Sequence, residues 1–360
     1  MDIDFGTHTL TAQGDGIYVK NATVTLSGTT GGVTAGENGA DANAVSAGNG
    51  AVVYIDGGHY YVFGDDATQM GNSTIYGLGN GVINISGGVF NTQYPGEDGN
   101  YYVVNKQNSS SAVINITGGT YVNYNPAVGD YGTNQPFLAE GYGVQHQGDE
   151  YIVVPSPYTV NGQVYNTFAE EVEAMPDNGV LTLNADVVEH NNISINKNMT
   201  LELGNNTIYA LKDGPYIKDA TVTITGDLGG DLGGIKAGIT GGDVNAVSVG
   251  TGGVVNIESG DYYVYGDSTT KIGNSTIYAV SNGQINISGG TFATQYPGAG
   301  NNYYVVNKQN SSEATITITG GSYVNYNPTV GDYGTGQKFL ADGYTVQQEG
   351  DVFTVIPEIV

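Results

Sequence analysis

The residues best placed to do chemistry are two acidic pairs, Asp65-Asp66 and Glu97-Asp98. Cleavage of a glycosidic bond needs two carboxylates held about 5 to 10 Å apart, one as acid and one as base or nucleophile. Adjacent acids in a polar, glycine-rich stretch are candidates for that role. The chain repeats itself at an offset of 202 residues, however, and there the pairs become Asp267-Ser268 and Ala299-Gly300. The copy keeps neither pair, and acids of this kind are mostly solvated. No catalytic residue is assigned, and the chain is expected not to be an enzyme.

Metal chemistry finds little support. The four histidines are His8, His59, His146 and His190. The first three become Asn206, Asp261 and Gln348 in the copy, and His190 has no counterpart. No His-x-x-x-His or similar spacing occurs, so no transition-metal site is expected. Asp41-x-Asn43 and Asp243-x-Asn245 match between the copies, as do Asp130 and Asp332 inside Gly-Asp-Tyr-Gly. Oxygen-rich loops can hold calcium, but no dense D-x-D-x-D-G array is present. No metal and no cofactor is assigned.

Tyrosine is the remaining chemistry, with 28 in the chain. Tyr101, Tyr102, Tyr124 and Tyr131 recur as Tyr303, Tyr304, Tyr326 and Tyr333. Exposed tyrosines on a regular face can stack on sugars or dock a protein. Tyr101, Tyr102, Tyr124, Tyr303, Tyr304 and Tyr326 are therefore the candidate binding residues, with wall packing and loop anchoring as the competing role. Sequons such as those at Asn72, Asn84 and Asn115 reflect the abundance of Asn, Ser and Thr.

Composition narrows the class. Of 360 residues, 58 are glycine, 12% are charged, and cysteine and tryptophan are absent. All nine basic residues are lysine, and the net charge is −26. The missing cysteine excludes disulfides and thiolate metal sites. With no basic patch to neutralise phosphates, nucleic acid is not an expected partner. Anionic membranes would repel the chain, and no apolar run reaches the length of a membrane span. Met1-Asp2-Ile3-Asp4 is acidic and is followed by no long apolar run, so it does not read as a signal peptide.

The elements that would position these residues follow from the repeats. Residues 71–155 return as 273–357 with 61 of 85 positions identical and no gap. Within each copy a phrase I-x-I-x-G-G-x-aromatic recurs every 30 or 31 residues: Val53–Tyr60, Ile83–Phe90 and Ile114–Tyr121, then Val255–Tyr262 (one glycine replaced by Ser259), Ile285–Phe292 and Ile316–Tyr323. Each phrase opens with a period-2 strand, turns at glycine, and places an aromatic at a constant position. Short strands, glycine corners and a coil-length period describe stacked coils. In such a stack Ile83, Ile85, Ile114 and Ile116 point inward. Tyr60, Phe90 and Tyr121 fall in one column at roughly the 4.8 Å strand spacing.

The match extends upstream. Met1–Gly6 aligns with Met199–Gly204, and Gly16–Leu26 with Gly214–Ile224, with a four-residue insertion in the later copy. Residues 156–198 have no counterpart. Within them Thr167 and Glu170 form a capping box, Phe168, Val172 and Met175 share one helical face, and Pro176 and Gly179 end the helix. This helix is expected to cap the second stack. After each third coil the pattern becomes a hairpin, Gly143–His146 with Tyr151–Val154 in the first copy, suited to blocking an open coil end. The domains are thus 1–155, lacking an N-terminal cap, and 156–360, capped at both ends. The uncapped end is expected to be covered by an upstream segment or by a partner, with head-to-tail assembly as one geometry.

The run F-A-E-E-V-E-A-M-P-D-N-G-V-L-T-L-N-A-D, then I-S-I-N-K-N-M-T-L-E-L-G-N-N-T-I, resembles the cap and first coils of right-handed β-helices of the pectate-lyase-like kind. The unit ending I-N-I-T-G-G-T-Y-V-N-Y-N-P, then F-L-A-E-G-Y and a hairpin, is similar to the closing module of phage fibre and head-fibre proteins and of gut-bacterial surface proteins. The resemblance implies an all-β fold of two tandem right-handed parallel β-helix (solenoid) domains, with one short capping helix at the start of the second. Lyases of this kind pair calcium-binding acids with a basic residue, often arginine; arginine is absent here and the lysines do not cluster beside acids. The resemblance implies a non-enzymatic structural or adhesive protein: a virion fibre, spike or capsid decoration, found on a virion or at the cell surface. Its implied partners are other virion or surface subunits in an oligomer or assembly, and a glycan or host receptor. A bacterial cell-surface adhesin is the alternative, and a polysaccharide lyase or glycoside hydrolase the second alternative.

Overall fold

The computed structural model describes residues 1–37, 42–64, 72–93, 101–129, 137–139, 141–155, 158–160, 163–165, 167–226, 233–266, 274–297, 303–331 and 338–358, with backbone alone for 158–160 and 163–165. The chain divides into two compact units, Met1–Pro155 and Ser156–Val360. Each is a parallel β-solenoid, and the two together make about nine turns.

Among the described residues of the first unit, four turns each lay one strand on each of three faces, and a fifth lays strands on the first two alone. The first face stacks Asp2–Asp4, Thr23–Ser27, the start of Val52–Val62, the start of Val82–Thr92, and Val113–Ile116, all parallel. The second stacks Thr9–Thr11, Gly32–Ala35, the later halves of the two long strands, and Thr120–Val122. The third stacks Ile17–Val19, Asn43–Ala47, Asn72–Gly77 and Tyr101–Lys106. The second unit repeats this plan. Six strands from Gly179–Thr182 to Thr315–Ile318 form one face, and five from Ser194–Ile195 to Tyr303–Lys308 form another.

Alternation drives the register. Leu26, Ile55, Ile85 and Ile116 lie directly over one another and are fully buried. Leu201, Ile224, Ile257, Ile287 and Ile318 do the same in the second unit. Ile83 and Ile114 point inward as expected. Each such side chain contributes about 1.5–3 kcal/mol through burial, and a one-residue slip would turn the whole column outward.

The aromatic column forms in both units. Tyr60 stacks on Phe90 at 5.3 Å and Phe90 on Tyr121 at 4.9 Å. Tyr262, Phe292 and Tyr323 repeat this at 5.1 and 5.0 Å. The buried hydroxyls find carbonyls three residues upstream: Tyr60 donates to Gly57 O and Tyr121 to Gly118 O. The glycine pair before each aromatic is unequal. The second glycine sits at positive φ, +101° at Gly58 and +116° at Gly260, where a side chain is strained. The first does not, so Ser259 replaces it, and its hydroxyl bonds both N–H and C=O of Gly226.

Both stacks close in the same way. The hairpin of Tyr142–Gln147 and Glu150–Pro155 pairs antiparallel with Thr120–Val122, and that of Tyr344–Glu349 and Val352–Pro357 with Ser322–Val324. Ile116 and Ile318 bridge to Leu138 and Leu340. In the second unit the helix Phe168–Ala174 precedes the first coil. Thr167 Oγ1 accepts the Glu170 N–H, and Phe168, Val172 and Met175 are buried. Among the described residues no helix is long and apolar enough to cross a membrane.

Candidate functional site

The third face carries the site. Tyr101–Lys106 lies parallel to Asn72–Gly77, with Tyr102 beside Ser73, Asn105 beside Tyr76 and Lys106 beside Gly77. Asn105 Nδ2 donates to Ser73 Oγ at 3.4 Å, and Asn105 Oδ1 accepts the Lys106 N–H at 2.7 Å, which fixes the strand end. The chain then turns. Gln107 N–H bonds Gly77 O, and Gln107 O accepts both the N–H and the hydroxyl of Ser110. Strand and turn together enclose a cleft of about 320 Å³. Its walls are two phenols, Tyr76 and Tyr102; three amides, Asn105, Gln107 and Asn108; the Ser109 hydroxyl; and the Lys106 ammonium.

The second unit holds the same residue types at Tyr278, Tyr304, Asn307, Lys308, Gln309, Asn310 and Ser311. Tyr304 lies beside Ser275, Asn307 beside Tyr278 and Lys308 beside Ala279. Asn307 Nδ2 donates to Ser275 Oγ at 3.3 Å, and Ser312 bonds Gln309 O as Ser110 bonds Gln107 O. The Tyr278 hydroxyl is pushed above its ordinary pKa by burial and, secondarily, by Asp243.

Six tyrosines were candidates for an exposed binding face, and the structure corrects four of them. Tyr101, Tyr124, Tyr303 and Tyr326 are each 1% exposed, so no ligand can stack on their rings from outside. Gly64 packs directly against the Tyr101 ring and Gly266 against Tyr303. Tyr124 leans on Tyr121 at 6.0 Å, and Tyr326 on Tyr323 at 5.9 Å. These four fill the wall. Tyr102 and Tyr304 are half-buried and remain at the surface, and Tyr102 lines the cleft. The neighbours that complete the cleft were missed. Their signal was present in the sequence: Asn100–Ser110 is identical to Asn302–Ser312 over eleven residues.

Other sequence candidates are not drawn together. Asp65, Asp66, Glu97, Asp98, Asp130, Tyr131 and Asp41 lie outside the described residues, as do Asp332, Tyr333 and the copy positions 267, 268, 299 and 300. Asn43, weighed with Asp41 for calcium and not assigned, donates its N–H and its amide to Asp15 Oδ1. Asn245 does the same to Asp213, whose carboxyl is raised by burial and lowered in part by these bonds. Among the described residues no three metal-binding side chains converge. His146 is spent on a stack with Tyr151 at 4.3 Å.

One couple escaped sequence reasoning. Glu171, on the capping helix, is fully buried, and neither carboxylate oxygen has a hydrogen-bond partner. Burial, and then the nearby Glu189 carboxylate, push its pKa up to about 8. Perturbed acids often mark active sites, but Glu171 is sealed from solvent and a polymer cannot reach it.

No family model, curated protein or solved structure matches the chain.

Proposed function

We propose that this chain is a non-enzymatic structural and adhesive protein, a virion fibre, spike or capsid decoration that presents a rigid solenoid face to a host surface or glycan. One observation carries the reading: what the duplication keeps and what it lets go. The cleft residues on the third face are all retained, side chains exposed to solvent included, whereas both acidic pairs that could perform hydrolysis are replaced in the copy. An enzyme depends on its acids; a surface that works by display depends on its outward polar and aromatic groups. The fold suits display, because each rung is held by the next and the outward columns stay in fixed register.

The test offers the purified chain a panel of polysaccharides and host envelopes while following retention and product release together. Retention without reducing ends or unsaturated sugars is expected. Turnover that vanishes on Asp65→Asn with Asp66→Asn would overturn the reading. Gold-labelled antibody against the chain is expected to mark virus particles; label confined to bacterial envelopes would move the protein from virion to cell surface.

A further inference from the structure

The cleft on the third face can be read further than a general display surface. Its most exposed residues are Gln107, Asn108 and Ser109, and all three are kept in the copy. The next exposed positions along the chain, Ser111, Val113 and Asn115, all change, to Glu313, Thr315 and Thr317. The fold does not require the retained side chains. The turn is held by backbone groups and by Ser110. Neither Asn108 nor Ser109 has positive φ, so the backbone conformation does not call for them. Among the described residues, the side chains of Lys106, Gln107, Asn108 and Ser109 make no hydrogen bond or ion pair, and nor do those of their copies. Outward polar groups that the fold leaves unused, beside two tyrosine rings and in a cleft, have the makeup of a ligand site.

The chemistry of the walls selects the ligand. Each amide offers donor and acceptor side by side, and the serine and phenol hydroxyls do the same. Neighbouring sugar hydroxyls need that pairing, and the apolar face of a sugar ring suits a tyrosine. A phosphate or carboxylate would call for several cations, and the cleft holds one, Lys106. The chain's net charge of −26 also repels an acidic polymer before it arrives. The lysine then serves as a donor to a hydroxyl or ring oxygen.

We propose that the cleft lined by Tyr76, Tyr102, Asn105, Lys106, Gln107 and Asn108, together with its copy around Tyr304 and Gln309, binds a neutral, hydroxyl-rich oligosaccharide. The inference rests on the display reading above and deepens it: the unit displayed is a pair of equivalent sugar sites. Binding involves no covalent step.

The test uses the full chain and a printed panel of neutral and acidic oligosaccharides, followed by calorimetry on the best neutral binder. Two equivalent sites per chain are expected, with affinity little changed by salt. Gln107→Ala with Asn108→Ala removes side chains that hold nothing in the fold, so the variant folds; one site of the two is expected to weaken about tenfold or more. Adding Gln309→Ala with Asn310→Ala weakens the second. Tyr102→Ala, checked for unchanged circular dichroism, is expected to match the first variant. Unchanged affinity in the quadruple variant overturns the inference, as does a preference for acidic sugars that fades with salt. If the wild-type chain still binds host envelopes but no panel sugar, the sugar site falls while the display reading stands. Binding to neither removes both.

Discussion

The first coils of the two units share a sequence pattern and differ in what lies above them. In the first unit, among the described residues, Asp2–Asp4, Thr9–Thr11 and Ile17–Val19 each pair with a strand on one side, and Leu10 and Tyr18 are 44% and 53% exposed. In the second unit the matching strands are sandwiched. Met199–Gly204 lies between Gly179–Thr182 and Thr221–Gly226, and Thr207–Ala210 lies between Asp186–Glu189 and Gly234–Ala237. Ile208, the counterpart of Leu10, is fully buried there. Near-equivalent residues thus differ in burial with the number of described strands that flank them. In a solenoid, a rung is as stable as the rungs that cover it, and its own sequence is only half of that account.

The comparison predicts where the units respond alike. Phe90 and Phe292 occupy the middle of the two aromatic columns, each between two tyrosine rings and fully buried. Replacing either with Ala leaves a cavity and is expected to cost about 3–5 kcal/mol. Denaturant unfolding of Phe90→Ala and Phe292→Ala should show matching losses in the transition of the unit affected. A loss in one unit at least twice that in the other would break the equivalence of the two stacks.

It also predicts where they part. Among the described residues the second unit alone carries a helix, the one with Glu171, whose folded pKa of about 8 lies above its ordinary 4.5. The folded state therefore holds a proton that the unfolded state releases. The cap is most stable below pH 4.5, loses stability as pH rises from 4.5 to 8, and changes little beyond that. The total is on the order of a few kcal/mol. Melting of the full chain between pH 5 and pH 8 should move the second unit's transition downward, and Glu171→Gln should flatten that slope. The slope of the first unit should be the same in wild type and variant. A wild-type slope that survives in Glu171→Gln would assign the pH dependence to other acids.

Much of the fold was legible because its signals are local and repeated. The 30-residue spacing of Ile-x-Ile with Gly-Gly-aromatic set the coil. Thr167 and Pro176 framed the helix, and the terminal alternation marked the hairpins. The tyrosines were less legible. In Tyr101-Tyr102-Val103-Val104 alternation breaks down, since Val103 and Val104 are both buried. The residue order therefore does not say which tyrosine faces out. Tyr124 is buried directly after Asn123, which adopts φ +53°, and Tyr326 directly after Asn325, at φ +57°. Left-handed backbone at asparagine is common enough to be allowed but leaves no fixed sequence mark. Glu171 was missed for a different reason: on the helix it follows Glu170 and reads as a solvated acid, and only the fold brings it beside Glu189.

Hydrogen exchange resolved by residue tests the central claim, that covering rungs set the stability of otherwise matching coils. The backbone amides of residues 2–11 and 200–209 belong to the same coil position in the two units. The account predicts that amides in 200–209 exchange at least about 100-fold more slowly than those in 2–11, while residues 82–92 and 284–294, covered on both sides in their own units, protect equally. Equal protection of 2–11 and 200–209 in the 360-residue chain would contradict it.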